Sequence, residues 1–506
     1  MKLQVKKKYQ KLLKYLKSSN KRQLSPIISI GLFGIIGLLL LIATKASPFT
    51  ASLEAENGVK NNVSVKPGSG ASGGNAIAFG GNTGPISCGK KVQNYSYQVP
   101  FGNAVWNQPV CNLARYAKSA DYANRFIEWG HKNDGSPSAD YLNGYLIATP
   151  GFPGTPTITD PEGLAGLFSR EVYYASKATM QKKVSSIVYP SNLDGIQWND
   201  NESLPKPGHV SRHPETTIPW NPSWKTGMGG DNEIFIIDDR PGKNNQIYTI
   251  WGYNVGGCVG ESILFPDRIC GMSISISRDH WGNPINIMSH EGYVNERGAG
   301  LSYYSTLTTP DEVQAGEIRH ALGISIPNTS YGQICTKQQL GTDSEGKACG
   351  TAVAPASKFE WGGTTSLIKD EPYKSIYTID KTIPEGMRFA IDITDAQIES
   401  WINSRNTLKN NPRRAETARV FARALRDYGM IVVDTNGARP DIQMVGGVNP
   451  DNRAKWTNLA MGPENGTDLL EGLINKNNLY VVTPPTLTCA DNTTSQNYCK
   501  WTKAHY

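Results

Sequence analysis

Residues 233–277 carry three runs whose reading decides the fold: EIFII at Glu233–Ile237, QIYTIW at Gln246–Trp251 and MSISIS at Met272–Ser277. The second and third alternate apolar with polar side chains, the period of a strand with one face buried. Working outward, MRFAIDI at Met387–Ile393 and MIVVD at Met430–Asp434 have the same β-branched and aromatic make-up. Gly, Pro and Asn fill the gaps between them, and Thr435-Asn436-Gly437-Ala438 is a tight-turn signal followed by a second run at Asp441–Val445. Helical patterns are few. Asp121–Trp129 is one; Arg413–Tyr428 is stronger, with Ala418, Phe421, Ala422 and Leu425 on one face and Gly429 placed to cap its end. Its Arg419, Arg423 and Arg426 fall mostly off that face, as a solvated surface would. The expectation is a mainly β fold: an antiparallel sandwich or jelly roll with one or two helices.

The chain is 506 residues long, and its 51 Gly and 31 Pro fit many turns but neither collagen nor a wholly disordered chain. The net charge of +7 belongs to the N-terminus. Residues 1–45 hold ten Lys or Arg and no acid, leaving 41 basic against 44 acidic residues, or −3, for the rest. A nucleic-acid-binding body is therefore disfavoured. After the basic segment 1–25, residues 26–44 (PIISIGLFGIIGLLLLIAT) carry no charge. At about 1.5 Å per residue they span a bilayer core. The one-sided lysines hold the N-terminus in the cytoplasm and send the remainder out. The alternative is a cleaved signal peptide, with Ala43 and Ala46 near the cleavage point. The expected localisation is thus the cell membrane, single-pass, and the membrane is the first expected partner. Residues 45–87, with GSGASGG at Gly68–Gly74, read as a flexible linker. Residues 88–484 read as the extracytoplasmic β-rich domain, with a subdivision near 230 as the alternative, and 485–506 as a tail with a Cys pair.

The eight cysteines, Cys88, Cys111, Cys258, Cys270, Cys335, Cys349, Cys489 and Cys499, all follow the apolar span and form no CxxC. That disfavours zinc or thioredoxin-like sites and suits disulfides in an oxidising compartment. Neighbours in sequence give the simplest pairing, 88–111, 258–270, 335–349 and 489–499. The alternative is a set of buried free thiols.

Chemistry-bearing residues are scattered. In TPDEVQAGEIRHALGISIP (Thr309–Pro327), a strand over Glu317–Ile326 would put His320 on the face of Ile318, Leu322, Ile324 and Ile326, with Glu317 and Arg319 opposite. His320 is then either a core histidine with a hydrogen-bonded neighbour or a general acid/base in a cleft. Arg297, in the polar loop NERGAG before Tyr303 and Tyr304, could neutralise a carboxylate; an ordinary turn is the plainer reading. Asp238 and Asp434 end strands and could serve acid/base work, hold Ca²⁺ or simply end the strands in turns. Trp220 and Trp224 sit in a Gly/Pro-rich loop, where they could stack on sugar faces or plug the end of the sandwich. His209 and His213 have metal-ligand spacing only on a helix, and the prolines around them argue for a loop. No metal and no cofactor is expected: the chain has no nucleophile elbow, phosphate loop or dinucleotide fingerprint.

These residues resemble a family of exported bacterial proteins of undefined function. Its Ala-Gly-x-Ile-x-His-Ala-Leu pattern is matched by Ala315, Gly316, Ile318, His320, Ala321 and Leu322. Its Arg-Tyr-Gly-Met-Ile pattern, followed by an aspartate and a glycine turn, is matched by Tyr428-Gly429-Met430-Ile431, Asp434 and Gly437, with Asp427 replacing the arginine. Arg297-Gly298-Ala299-Gly300 and Pro384-Glu385-Gly386 complete the likeness, which covers about Asp231–Val482. The resemblance implies an extracellular β-sandwich and no defined reaction.

Together the residues lead us to expect a membrane-anchored envelope protein acting on a polysaccharide, as a lyase or hydrolase. In it His320 would be the acid/base, Arg297 would steady charge, and Asp238 or Asp434 would supply the second polar group. Trp220, Trp224, Tyr303, Tyr304 and Glu317 would line the ligand. The rival is a non-catalytic module that binds polysaccharide or protein.

Overall fold

The computed structural model describes residues 95, 97, 104–128, 146–152, 169–186, 217–227, 232–243, 246–253, 266–271, 273–277, 299, 301, 303–330, 352–356, 381–436, 440–465 and 468–485, with short strand pairs at 64–67, 75–78, 487–488 and 494–495. Met1–Ile86 and Ser87–Tyr506 are separate units. In the first, β1 (Ser64–Pro67) pairs antiparallel with β2 (Asn75–Ala78), inside the stretch read as a flexible linker. The apolar span 26–44 lies outside the described residues; among those described, no helix is long and apolar enough to cross a membrane.

The second unit runs in chain order through α1 (Ser119–Glu128), β3 (Glu171–Tyr174), β4 (Met180–Ser186), β5 (Thr217–Trp220), β6 (Ile234–Asp238), β7 (Gln246–Trp251), β8 (Arg268–Gly271) and β9 (Ser273–Ser277). It continues with α2 (Tyr303–Thr306), α3 (Pro310–Gln314), β10 (Leu322–Ile326), β11 (Arg388–Ile391), α4 (Asp395–Ser404), α5 (Asn406–Lys409) and α6 (Pro412–Asp427). β12 (Met430–Thr435), β13 (Asp441–Ile442), α7 (Pro450–Asn458) and β14 (Leu479–Val481) follow, and the tail holds the pair β15 (Leu487–Thr488) and β16 (Thr494–Ser495).

Three sheets result, ordered β13-β10-β12-β11-β14, β3-β6-β7-β9 and β5-β4-β8. Every one mixes parallel with antiparallel neighbours: β10 with β12, β3 with β6 and β4 with β8 are parallel. This corrects the antiparallel expectation, and the described part, about 26% strand and 31% helix, is not mainly β. The reason lies in burial. β6, β10 and β11 are buried along their whole length, as strands covered on both faces must be, and such strands read as continuous apolar runs. EIFII and MIVVD have that character. The proposed hairpin at Thr435–Ala438 is also corrected: β12 and β13 flank β10 on opposite sides instead of pairing with each other.

Layers follow from side-chain parity. Leu322, Ile324 and Ile326 of β10 and Met430 and Val432 of β12 join Phe389, Ala418, Phe421 and Leu425 in one core beneath the helices. Ile431 and Val433 face the other way and pack with Val172, Phe235, Ile237 and Ile247 of the second sheet. The reverse side of that sheet, Tyr173, Ile234, Ile236 and Ile250, packs on Ile218, Trp220 and Ile269. Strands from both sides of residue 230 share sheets, with β3 beside β6 and β4 beside β8, so no domain boundary falls there.

Two helices match the expected patterns closely. α6 starts from Asn411, whose side chain accepts the Arg414 N–H, with Pro412 at its first turn. It ends at Gly429, whose φ of +72° suits glycine and whose added Cβ would lie 2.2 Å from the Phe389 carbonyl oxygen. Its arginines do not form a merely solvated face. Arg419 pairs with Glu399 at 2.5 Å, and Arg423 and Arg426 reach Asp395 at 3.0 and 3.1 Å, all toward α4.

Candidate functional site

The stretch expected to be a strand from Glu317 is a strand only from Leu322; Glu317–Ala321 form an irregular segment with a bend at His320 that leads into it. The cause is the helix ahead of it. Thr309 caps α3 by accepting the Glu312 N–H at 3.3 Å, while Glu312 Oε1 accepts the Thr309 N–H at 2.5 Å, a reciprocal capping box. Gly316, at φ +86°, then turns the chain. The Glu312 carboxylate is fully buried and its Oε2 lies 2.8 Å from His320 Nε2. His320 Nδ1 lies 2.9 Å from the Ala321 carbonyl oxygen. Burial pulls the His320 pKa down, but the Glu312 charge, its hydrogen bond and the Ala321 carbonyl outweigh burial and an opposing Arg388, so the net shift is upward.

Tyrosines surround this pair. Tyr97 hydrogen-bonds the Thr309 side chain and faces the Tyr304 hydroxyl at 3.4 Å. Burial, reinforced by the Glu312 charge, raises the pKa of Tyr95, Tyr97 and Tyr304. Glu317 pairs with Arg319 at 3.0 Å, and the Arg319 guanidinium lies 3.7 Å from the Tyr95 ring centre. Thus of the expected ligand residues Tyr304 is buried, Glu317 is held by Arg319, and the Tyr303 side chain lies outside the described residues, as do Arg297, His209 and His213.

The strand-end aspartates are equally engaged. Asp238 is buried and chelated by Arg240 at 2.6 and 2.7 Å, with the Tyr248 hydroxyl donating at 3.2 Å. Burial would raise its pKa, but Arg240 holds it below the usual carboxylate range. Asp434 lies 3.3 Å from Arg170, whose Nε is 2.8 Å from Glu233. These groups occupy the space between the first and second sheets, beside Asp441. Burial, with Asp434 adding to it, pushes the Asp441 pKa up to about 6 against the pull of Arg170 and Asn436.

Trp220 and Trp224 are in the core, not on a platform. Trp224 stacks on Tyr173 at 4.9 Å between ring centres, and Trp220 meets Trp224 edge-on at 5.6 Å. Both tryptophans belong to the apolar cluster between the second and third sheets. Cys111 and Cys270 are disulfide-bonded; the other six cysteines lie outside the described residues. Among the described residues no group of His, Cys, Asp or Glu is arranged to hold a metal.

Several engaged residues carry no expectation from sequence. Arg170, Glu171 and Arg388 look ordinary until partners more than 200 positions away come beside them, and Glu233 until Arg170 does. Arg388 donates to the carbonyls of Tyr428 at 2.8 Å, Val105 at 2.9 Å and Gln108 at 2.6 Å. Glu312 is different: Thr309-x-x-Glu312 is a legible capping signal.

The architecture is thus a helix-covered mixed sheet backed by two further mixed sheets. No family model, curated protein or solved structure matches the chain.

Proposed function

We propose that this chain is a membrane-anchored, extracytoplasmic module of the cell envelope that binds a partner protein and carries out no catalysis itself. One observation carries the reading. His320, Asp238 and Asp434, the polar groups that an acid/base enzyme would present to substrate, are each buried and committed to an internal partner: Glu312, Arg240 and Arg170. A glycan lyase or hydrolase needs such groups to converge on an open cleft. A glycan-binding platform needs exposed aromatic faces, and Trp220 and Trp224 are 3% and 7% exposed. The anchor reading rests on the uncharged run 26–44 behind a wholly basic flank, and the bonded state of Cys111 and Cys270 suits an oxidising compartment. The resemblance to exported bacterial proteins at Ala315–Leu322 and Tyr428–Asp434 agrees with it.

The test has two arms. Protease added to intact cells should release the body while leaving the basic N-terminus protected; full protection of the body would refute export. The full chain in lipid nanodiscs should yield no new reducing ends or unsaturated products from a panel of envelope polysaccharides, and should not be retained by them. Product formation would return the enzyme reading, and retention without product would replace the protein partner with a glycan.

A further inference from the structure

The hydrogen-bond arithmetic around His320 fixes more than its position. Nδ1 meets the Ala321 carbonyl oxygen at 2.9 Å, and a carbonyl only accepts, so Nδ1 must carry hydrogen. Nε2 meets Glu312 Oε2 at 2.8 Å, and an ionised carboxylate also only accepts, so Nε2 must carry hydrogen as well. The ring is 2% exposed and Glu312 is fully buried, so water cannot stand in for either partner. A neutral imidazole in this place sets a lone pair against an oxygen lone pair, and an unmade buried bond is costly.

We propose that His320 is held as an imidazolium and that its second proton is the pin of a latch joining α3, the Glu317–Ala321 segment and the tyrosines packed on them. The geometry supplies the linkage. Glu312 is shared: Oε2 holds His320 while Oε1 holds the Thr309 N–H, so the ion pair and the cap of α3 stand or fall together. Thr309 in turn hydrogen-bonds Tyr97, which faces Tyr304. On the far side, the Ala321 N–H donates to the Trp106 carbonyl at 2.8 Å and the Leu322 N–H to the Gly429 carbonyl at 3.0 Å, so the imidazolium sits where β10 enters its sheet.

Charged and titratable groups approach this centre from every packed element: Glu312 from α3, Arg388 from β11, Tyr304 from α2, Tyr95 and Tyr97 from the chain ahead of α1, Tyr428 after α6, and Glu317 and Arg319 from the same segment as His320. Glu312 alone touches the ring with a full opposite charge. The folded pKa of His320 is raised, so the latch is complete below the free value of 6.5 and is lost as pH climbs through the folded value. Between those two values the ratio of latched to unlatched molecules falls about tenfold per pH unit. The device therefore opens on the alkaline side.

The full chain in nanodiscs, labelled with ¹⁵N-histidine, tests this. Seven histidines contribute signals, and that of His320 is the one lost in His320→Gln. Near neutral pH both its ring nitrogens should show the shifts of protonated nitrogen. One unprotonated nitrogen, the mark of a neutral ring beside a protonated Glu312, would overturn the proposal. Hydrogen exchange of the backbone amides from 312 to 322, corrected for intrinsic rates, should show opening that grows about tenfold per pH unit from 6.5 up to the folded pKa and then levels off. The same amides in Glu312→Gln should open more readily and without that dependence. Opening in the unmodified chain that does not vary with pH would sink the idea even if neither variant folds.

Discussion

Glu171→Gln should remove a specific part of the pH dependence of stability. The Glu171 side chain is fully buried, and its two oxygens accept the N–H groups of Val448 at 3.1 Å and Asn449 at 2.9 Å, at the start of α7. Burial dominates over those amides and over Arg453, and pushes the pKa from 4.5 up to about 7. A raised folded value means stability that is fully present below 4.5 and lost as pH rises through about 7. At 1.36 kcal/mol per unit, the loss between about pH 4 and pH 8 comes to roughly 3 kcal/mol. Glutamine cannot ionise, but it offers one acceptor where two amides need one each, so it costs about 1 kcal/mol at every pH. Urea unfolding of the full chain in detergent should therefore give two curves of stability against pH that cross as pH rises. The gap at acid pH should be about 1 kcal/mol in favour of the natural residue, and should reverse to about 2 kcal/mol in favour of glutamine near pH 8. Parallel curves over the whole range would refute the claim that burial governs this carboxyl.

Further expectations concern packing and pairing. An alanine at Gly446 would place its Cβ 2.0 Å from Glu171 Oε1, and one at Gly447 would place it 2.2 Å from the Phe152 ring; both variants should unfold at markedly lower temperature, whereas Gly242→Ala, with nothing within 4 Å but φ at +77°, should cost only about 1 kcal/mol. Arg388→Met should cost several kcal/mol, on the order of 3, because the buried Tyr428 carbonyl and the part-buried Val105 and Gln108 carbonyls lose their donor; a melting temperature equal to that of the unmodified chain would show that the carbonyls find other donors. Arg419→Ala should cost under about 1 kcal/mol, since Glu399 and Glu416 are largely exposed partners.

Local elements were legible, and their association was not. β7 runs over the stretch read as a strand, and α6 begins one residue from the expected start, because period and caps are written within a dozen positions. The mixed topology could not be read that way. Whether β12 pairs with its successor or with β10 depends on the covering of both its faces, and Asn436, the supposed turn residue, instead spends its N–H on the Ile326 carbonyl and its amide on Ser325. The surroundings of the candidate residues were illegible for a related reason. A histidine among isoleucines has the same local pattern whether it faces a cleft or a buried glutamate, and the deciding partner, Glu312, lay in view only as a helix cap.

The buried charges show what polar residues at strand ends do for the fold. Between the first two sheets, the apolar contact of Ile431 and Val433 with Val172 and Phe235 is driven by a non-directional force. The adjoining polar layer cannot slide. Arg170 has to meet both Glu233 from the second sheet and Asp434 from the first, and the Val445 strand bridges Arg170 directly. Removing one partner would strand the others in a low-dielectric space at a cost of about 3–5 kcal/mol, far more than the pair contributes over an apolar replacement. Such a layer adds little to stability but penalises every other alignment of the sheets. Asp238 is held by Arg240 only two residues along and sets no register, but the same reasoning covers His320 with Glu312. Arg170 and His320 each sit where two elements must meet in one register, and each has a partner that only that register supplies.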